Sequence, residues 1–528
     1  MTDVLLDPET DARAAYAFDP ARVRALTTVA RASGESHRIT TPMTGGPLAT
    51  VNLSTEDDVE QAYAVARAAQ PAWAGLSVAE RCRIILHYHD LVLANQRELM
   101  DLVQLESGKA RRHAFEEIAD VAICSRHYGR NAERYLRPQK RGPGALPILT
   151  QSIESHLPKG VVGIVSPWNY PLSLAVSDAI PALLAGNAVV LRPDMQGMLT
   201  ALAGVELLFQ AGLPRDLFQV VLGPGSSIGQ AVVDRADYVC YTGSTATGRR
   251  VAASLAPRLV GYSMELGGKN SMYIASDASI RRSVETAVRG CFSSAGQLCI
   301  SHERLLVHTD IYDAFVPAFV EAVKKMRLGT ELSFGFDMGS LVGQQQLETV
   351  TEHVEDARHH GATVLAGGRH RPDIGPYVYE PTVLSEVTSE MMCRDIETFG
   401  PVTSIYRVSS DEEAIAIAND TPYGLNAAVM TRSVRRGREI AAKLHAGTVN
   451  INEAYAAAWA SKGSPMGGMK DSGVGRRHGR EGIVKYTEPQ NVTAQYLLGF
   501  GPPPWVSDEM FASTLTTAMR LMKKLGVR

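Results

Sequence analysis

From Gly160 onward the chain alternates short apolar, β-branched runs with helical stretches, and this alternation restricts it to a parallel sheet with crossover helices. GVVGIVSP (160–167) is a continuous apolar run closed by Pro167, the pattern of a strand buried on both faces. A helical stretch from Leu172 to Leu184 follows, then the strand pattern NAVVLRP (187–193), a helix near 198–211 and the strand pattern LFQVVL (217–222). A Gly-rich turn, another helix and YVCYTGS (238–244) complete the series. Right-handed βαβ crossovers of this kind build a doubly wound sheet. Residues 268–460 repeat the texture with different spacing, which predicts a second α/β domain. A chain of 528 residues needs one, because single cores stop growing near roughly 250–300 residues.

The flanks read differently. Thr55-Glu56-Asp57-Asp58 opens a run with Val59, Ala62, Tyr63 and Ala66 at helical spacing, and amphipathic stretches continue to Tyr135, so residues 54–136 are predicted helical. PQKRGPGALPIL (138–149) reads as an exposed excursion. Beyond about residue 497, GFGPPPWVSDEM is a Pro-rich linker, and Phe511, Leu515, Met519 and Met522 then recur at helical spacing among basic residues. The expectation is a terminal amphipathic helix packed on its own or a neighbouring subunit, with peripheral membrane contact the less favoured alternative.

Composition removes several function classes. The net charge of −3 provides no electrostatic case for a nucleic-acid partner. Six scattered cysteines without CxxC spacing argue against a disulfide scaffold and a structural zinc site. The pairs His87/His89 and His359/His360 lack further ligands nearby and read as surface residues, so no metal is expected. The acidic N-terminus has no basic, apolar signal pattern, and no apolar run reaches about 18 residues. The expected location is the cytoplasm.

Four segments carry chemistry. Ser293-Ser294-Ala295-Gly296-Gln297-Leu298-Cys299 presents a cysteine after a small, flexible loop. A lone cysteine is more often structural than nucleophilic. Glu265, at the end of the strand pattern LVGYSMEL and beside Gly267-Gly268, is placed as a base, because strand ends project into the crevice of such a sheet; the bland reading is a surface glutamate in a turn. Asn169, in Ser166-Pro167-Trp168-Asn169-Tyr170-Pro171, offers an amide donor for an oxyanion, a contribution of about 3 kcal/mol in comparable sites. Tyr241-Thr242-Gly243-Ser244-Thr245-Ala246-Thr247-Gly248 opens a helix at a strand end, where free N–H groups and the helix dipole suit a pyrophosphate. Gly223-Pro224-Gly225 with Gly229 is a weaker signal of the same kind.

PWNYP, YTGSTATG, ELGGKN, GQLC and Glu397-Thr398-Phe399-Gly400-Pro401 occur in an order and spacing that resembles the aldehyde dehydrogenase superfamily over roughly residues 45–495. The resemblance implies Cys299 as nucleophile, Glu265 as general base and Asn169 as oxyanion donor. A cysteine thiohemiacetal would lose hydride to a nicotinamide dinucleotide, and water would hydrolyse the thioester. Glu397 would grip the nicotinamide ribose, with Trp168, Asn169, Gly243, Ser244, Leu266 and Phe399 lining the cofactor. The implied fold is α/β: a Rossmann-like dinucleotide-binding domain (1–137 and 159–266), an α/β catalytic domain (267–467), and a β oligomerisation arm (138–158 with 487–497). A C-terminal amphipathic tail (498–528) follows. Such arms imply a homodimer or homotetramer.

Within the superfamily, LVQLESGKA, CFSSAGQLCIS and the stretch from Gly447 to Gly479 are most similar to bacterial NADP-linked succinate-semialdehyde dehydrogenases with a long C-terminal tail. The local chemistry departs from that pattern. Better-known enzymes of this specificity place arginines at the positions of Ser177 and Ser293, and often a lysine at that of Asp178. Tyr170, Leu174, Leu298, Ile300, Tyr455 and Trp459 form a mainly apolar and aromatic set, with Ser177 and Ser301 as polar members of the substrate pocket and Lys462 as a possible substitute cation. The alternative substrate is therefore a medium- or long-chain or aromatic aldehyde. Along the cofactor segment Arg192-Pro193-Asp194-Met195, many NAD enzymes have a glutamate at the Met195 position. Its absence, with Arg192 in place of lysine, favours NADP over NAD, while Asp194 acts in the opposite sense. Retention of Glu265 favours hydrolysis over transfer to CoA, and the intact Cys299, Glu265 and Asn169 argue against a catalytically silent protein.

Overall fold

The computed structural model describes residues 19–142, 149–496, 499 and 501–526. The first eighteen residues of the expected first domain, the tip of the arm at 143–148, and residues 497, 498, 500, 527 and 528 lie outside the described residues.

Among the described residues, two seven-stranded sheets dominate. In the first, the strands run Ala30–Arg31, Phe218–Val221, Ala188–Pro193, Val161–Ser166, Tyr238–Thr242, Gly261–Glu265 and Gly473–Val474 in spatial order. The chain crosses from the central strand Val161–Ser166 to one side and then to the other, so the crevice opens where the order reverses, at the strands' carboxyl ends. Val161–Ser166 and Ala188–Pro193 are buried along their whole length, as continuous β-branched runs require. The last strand, Gly473–Val474, comes from far along the chain and pairs antiparallel with the end of the sheet, Glu265 opposite Gly473. No pattern in the sequence signalled this pairing, and it carries the segment after Gly475 to the side of Glu265.

The helices follow their caps. Thr55 and Asp58 form a capping box that starts Glu56–Ala74, and Ser77 with Glu80 starts Val78–Ala94 in the same way; each satisfies two otherwise unpaired backbone donors. The stretch read as one helix over 172–184 divides into Ser173–Val176 and Ala179–Leu184. Pro181 has no N–H for the carbonyl of Ser177, and the Cys124 thiol occupies that carbonyl instead, at 3.5 Å.

The second sheet runs Thr363–Ala366, Thr382–Ser385, Val402–Val408, His302–His308, Asn270–Ile274, Asn426–Met430 and Thr448–Ile451. It is parallel except for its first strand. Separate apolar cores pack on the two sheets. A third, three-stranded sheet sets Thr150–Pro158 between Thr487–Gln495 and Gln139–Arg141. The terminal helix Asp508–Lys524 has no fully buried residue, and Phe511, Leu515 and Met522 along one side of it are half-buried. No helix of the described residues is long and apolar enough to cross a membrane.

Candidate active site

The nucleophile loop is built from strained backbone. Ser294, Ala295 and Gly296 all have positive φ (51°, 56° and 71°), a conformation costing non-glycine residues roughly 1–3 kcal/mol each. Gly296 is required, because a Cβ there would lie 2.0 Å from the carbonyl oxygen of Gly400. The loop is held from several sides. The Ser294 N–H donates to His113 Nδ1 at 3.1 Å, and Gln297 accepts from the Val342 N–H at 2.9 Å. Asn270 Nδ2 donates to the carbonyls of Cys299 (2.8 Å) and Ser301 (2.7 Å). Cys299 emerges partly exposed, while the five other cysteines are buried and all six are free. That exposure separates it from its structural neighbours.

Cys299 stands where two cavities meet. One is lined by Trp168, Asn169, Gly243, Ser244, Glu265, Leu266, Glu397 and Phe399, together with Pro167, Thr242, Gly267 and Gln346. The other is lined by Tyr170, Leu174, Leu298, Ile300, Tyr455, Trp459 and Met466, with Asn169 shared. Their only other common wall is Cys299 itself among the described residues.

The first cavity fits a dinucleotide. Ser244 caps the eleven-residue helix Thr245–Leu255 at the carboxyl end of a strand, where unpaired N–H groups attract phosphate. Gly267 admits Glu397, since a Cβ there would stand 2.2 Å from Glu397 Oε2, and Glu397 Oε1 accepts from the Gly268 N–H at 2.8 Å. Trp168 and Phe399 meet edge to face, ring centroids 5.5 Å apart, with Phe399 itself at φ 52°. Its backbone N–H, with that of Thr398, donates to Glu303, whose other partner is Lys269. Arg192 and Asp194 through Met195 lie beyond this wall, at the end of Ala188–Pro193, whose last residue is Pro193. Arg192 Nε donates to the Gly223 carbonyl (2.8 Å), and its guanidinium faces Gly225 and Gly229. Thus the weak GPG signal and the arginine form one corner.

Electrostatics distinguish the acids. Burial pushes the Glu265 carboxyl up to about 7, against the pull of Arg477 and Lys485. Its Oε1 is buried without a partner, so the group can exchange a proton near neutrality. Burial and the charge of Glu303 push Glu397 to about 8. Burial first, then Glu397 and Glu265, push the Cys299 thiol up to about 12; the resting thiol is protonated and has carboxylates nearby to receive its proton. Asn169 is buried. One amide hydrogen donates to the Gln297 carbonyl (3.1 Å), and Lys109 Nζ holds its backbone oxygen at 2.6 Å, leaving the second amide hydrogen for an oxyanion.

The second cavity corrects three expectations. Ser177 is not in its wall; its hydroxyl donates to Asp120 at 2.7 Å, behind the lining. Ser301 faces the other way, toward the Gly290 and Cys291 carbonyls at 3.3 and 3.1 Å. Its backbone position two residues after Cys299 turns it into the helix Ile280–Phe292. Lys462 is not a free substitute cation: it is buried, paired with Asp120 and 2.8 Å from His478 Nε2.

The cavity also contains polar residues that the motifs did not reveal. Glu116 and Asp120 reach it from the helix Arg111–Leu136, and Arg477 and His478 from the segment following Gly473–Val474. Glu116 takes the Tyr170 hydroxyl at 3.1 Å and lies 3.1 Å from that of Tyr455; burial raises its carboxyl. Glu116 and Asp120 one turn apart on a helix face with His113 and Cys124, on a different side from Ala114, Ile118 and Val121, in a helix that is largely buried, were the available signal. For Arg477 and His478 there was only their place in the Gly447–Gly479 stretch, which assigned them no role.

A thiol at the junction of a dinucleotide cradle and an aromatic pocket, with a neutral-range carboxyl and an amide donor beside it, is suited to oxidising an aldehyde through a thioester. The comparisons agree. The model of the aldehyde dehydrogenase family matches residues 29–492. The chain is 52% identical to the "Putative succinate-semialdehyde dehydrogenase (NADP(+))" of Mycolicibacterium smegmatis over 97% of its own length and 99% of that protein. An E. coli NADP-dependent enzyme superposes with a TM-score of 0.83 at 32% identity, covering 87% of this chain and 95% of the other. The NAD+ complex of a Bacillus cereus aldehyde dehydrogenase gives 0.85 at 31%, covering 91% and 100%. The chain belongs to the aldehyde dehydrogenase family.

Proposed function

We propose that this chain oxidises succinate semialdehyde to succinate with NADP+ as hydride acceptor. The observation that carries this reading is the 52% identity, over nearly both whole chains, to a relative named for that activity and cofactor. Cys299 acts as nucleophile, Glu265 as general base and Asn169 as oxyanion donor, with Trp168, Gly243, Ser244, Leu266, Glu397 and Phe399 holding the cofactor and Arg192 to Met195 its adenosine end. The bound dinucleotide supplies a hydride acceptor; the remaining chemistry falls to the chain. The thiol passes its proton toward the carboxylates around it as sulfur bonds to the carbonyl carbon, and Asn169 receives the developing oxygen charge. At the thioester stage Glu265 takes a proton from water, the hydroxyl adds to the acyl carbon, and the carbon–sulfur bond breaks to free the acid and Cys299.

The expected domain division fits this assignment, with residues 159–266 supplying Trp168, Gly243, Ser244 and Glu265 and residues 267–467 supplying Cys299, Glu397 and Phe399. In the arm, the outer strand Thr487–Gln495 presents an exposed edge suited to a homodimer or homotetramer. Six free cysteines fit the reducing cytoplasm.

Arg192 is the expected 2′-phosphate contact. Arg192→Ala should raise the KM for NADP+ about 10-fold or more, the scale of a lost charged hydrogen bond, and that for NAD+ far less. Equal changes would remove Arg192 from this role.

A second reading rests on the apolar lining of Tyr170, Leu174, Leu298, Ile300 and Trp459: a medium-chain or aromatic aldehyde. Each methylene should then improve binding by about 0.8 kcal/mol. Comparing kcat/KM for succinate semialdehyde, butanal, hexanal and benzaldehyde decides between them, and a higher value for hexanal than for succinate semialdehyde would overturn the first.

A further inference from the structure

A carboxylate-bearing aldehyde needs donors at the far end of its pocket, and the two positions where arginines were expected, Ser177 and Ser293, supply none. Two residues of the pocket wall do. His478 is 6% exposed and lines the aldehyde cavity with Cys299. Its Nε2 lies 2.8 Å from Lys462 Nζ. An ammonium has no lone pair and can only donate, so Nε2 is the acceptor. Burial, then Lys462 and Arg477, hold the imidazole pKa well below its usual value, which keeps the ring neutral. A neutral ring accepting at Nε2 carries its proton on Nδ1. That Nδ1–H is buried and has no acceptor, which is costly unless a ligand completes it. The backbone is strained at the same residue, with φ 61°, a conformation that persists only where the surroundings enforce it.

Arg477 stands beside it in the same wall, its side chain 13% exposed. Only Nε is committed, donating to Asp178 at 3.0 Å; among the described residues the terminal nitrogens make no hydrogen bond. The two carboxylates of the cavity are already engaged, Asp120 by Lys462, Ser173 and Ser177, and Glu116 by the Tyr170 hydroxyl. The donors left over therefore form one anion-accepting corner that shares a cavity with the nucleophile.

We infer that Arg477 and His478 together bind the carboxylate of an ω-oxo acid, Arg477 through its terminal guanidinium nitrogens and His478 through Nδ1–H, in place of arginines at positions 177 and 293. This rests on the proposed succinate semialdehyde activity and names the residues that give it specificity.

The test reads the ratio of kcat/KM for succinate semialdehyde over butanal, which has the same chain length and no charge. Both aldehydes use Cys299 and Glu265, so any effect of the variants on shared chemistry, including the influence of Arg477 on Glu265, cancels in the ratio. His478→Gly removes the donor and suits the left-handed backbone. His478→Asn also tolerates that backbone and restores a short amide donor. Arg477→Gln is made together with Asp178→Asn, so that Asp178 is not left buried without its hydrogen-bonded cation. The ratio should fall about 10- to 100-fold in His478→Gly and in the double variant, the range for a charged hydrogen bond left unmade, and His478→Asn should retain more of it than His478→Gly. A parent that selects succinate semialdehyde while all three variants keep its ratio would overturn the inference and leave the substrate assignment standing. A parent with no preference for the charged aldehyde would remove the substrate assignment, and the inference with it.

Discussion

Replacing Cys299 by serine should lower aldehyde oxidation by about 10⁴-fold or more, the scale seen when a covalent nucleophile is removed, with melting temperature and cofactor binding near those of the parent. The structural reason is the setting of the thiol. Even as a sulfur acid Cys299 is held up to about 12 by burial and by Glu397 and Glu265. A serine hydroxyl, much less acidic to begin with, has no means of ionising there. Fold should be spared because the strained loop is fixed by Asn270, Gln297 and His113 through its backbone, not by the sulfur. Following reduced-cofactor absorbance together with a thermal melt checks both halves. Activity within about tenfold of the parent would refute a thioester mechanism.

The second large effect belongs to Glu265. Glu265→Gln should slow steady-state turnover by about 10²–10⁴-fold, the usual contribution of a positioned base, while the first hydride transfer is much less affected. Rapid mixing should therefore show a burst of reduced cofactor followed by slow release; uniform slowing with no burst would mean that Glu265 does not serve hydrolysis. The parent adds a pH test of the same assignment. A base must be ionised to act, and burial has moved this carboxyl to about 7. The hydrolysis rate should thus rise as pH increases toward and through about 7 and level off above it. Glu265→Gln should flatten that rise.

The apolar positions of the terminal helix Asp508–Lys524 were legible in its spacing, and Phe511, Leu515 and Met522 among them are half-buried.

Local signals in this chain were strong wherever function depends on backbone. The strand-to-helix turn at Tyr241–Thr245, the glycines that let Glu397 approach, and the small residues before Cys299 could be read directly. A Gly or Ser at such a point reflects a local requirement of the peptide: a free N–H, a left-handed φ or room for a neighbour. The alternation of strands and helices after Gly160 was legible for the same reason, since periodicity records which face is buried. What periodicity does not record is what packs against that face. Lys462 and Asp120 are 342 residues apart in sequence, and only folding makes them a buried pair that removes Lys462 from the role of free cation. Ser177 and Ser301 were expected in the pocket from their places along the chain, yet their side chains turn into Asp120 and into a helix's carbonyls. Arg477 and His478 lie in the Gly447–Gly479 stretch but in none of the segments that carry chemistry, and they reach the pocket because a two-residue strand, Gly473–Val474, pairs with the end of the strand that bears Glu265. The sequence alone determined the reaction, because reactive groups are presented by local backbone geometry. The polar lining of the aldehyde pocket was decided by tertiary structure, because it depends on which distant side chains the packed sheets and helices turn toward one another.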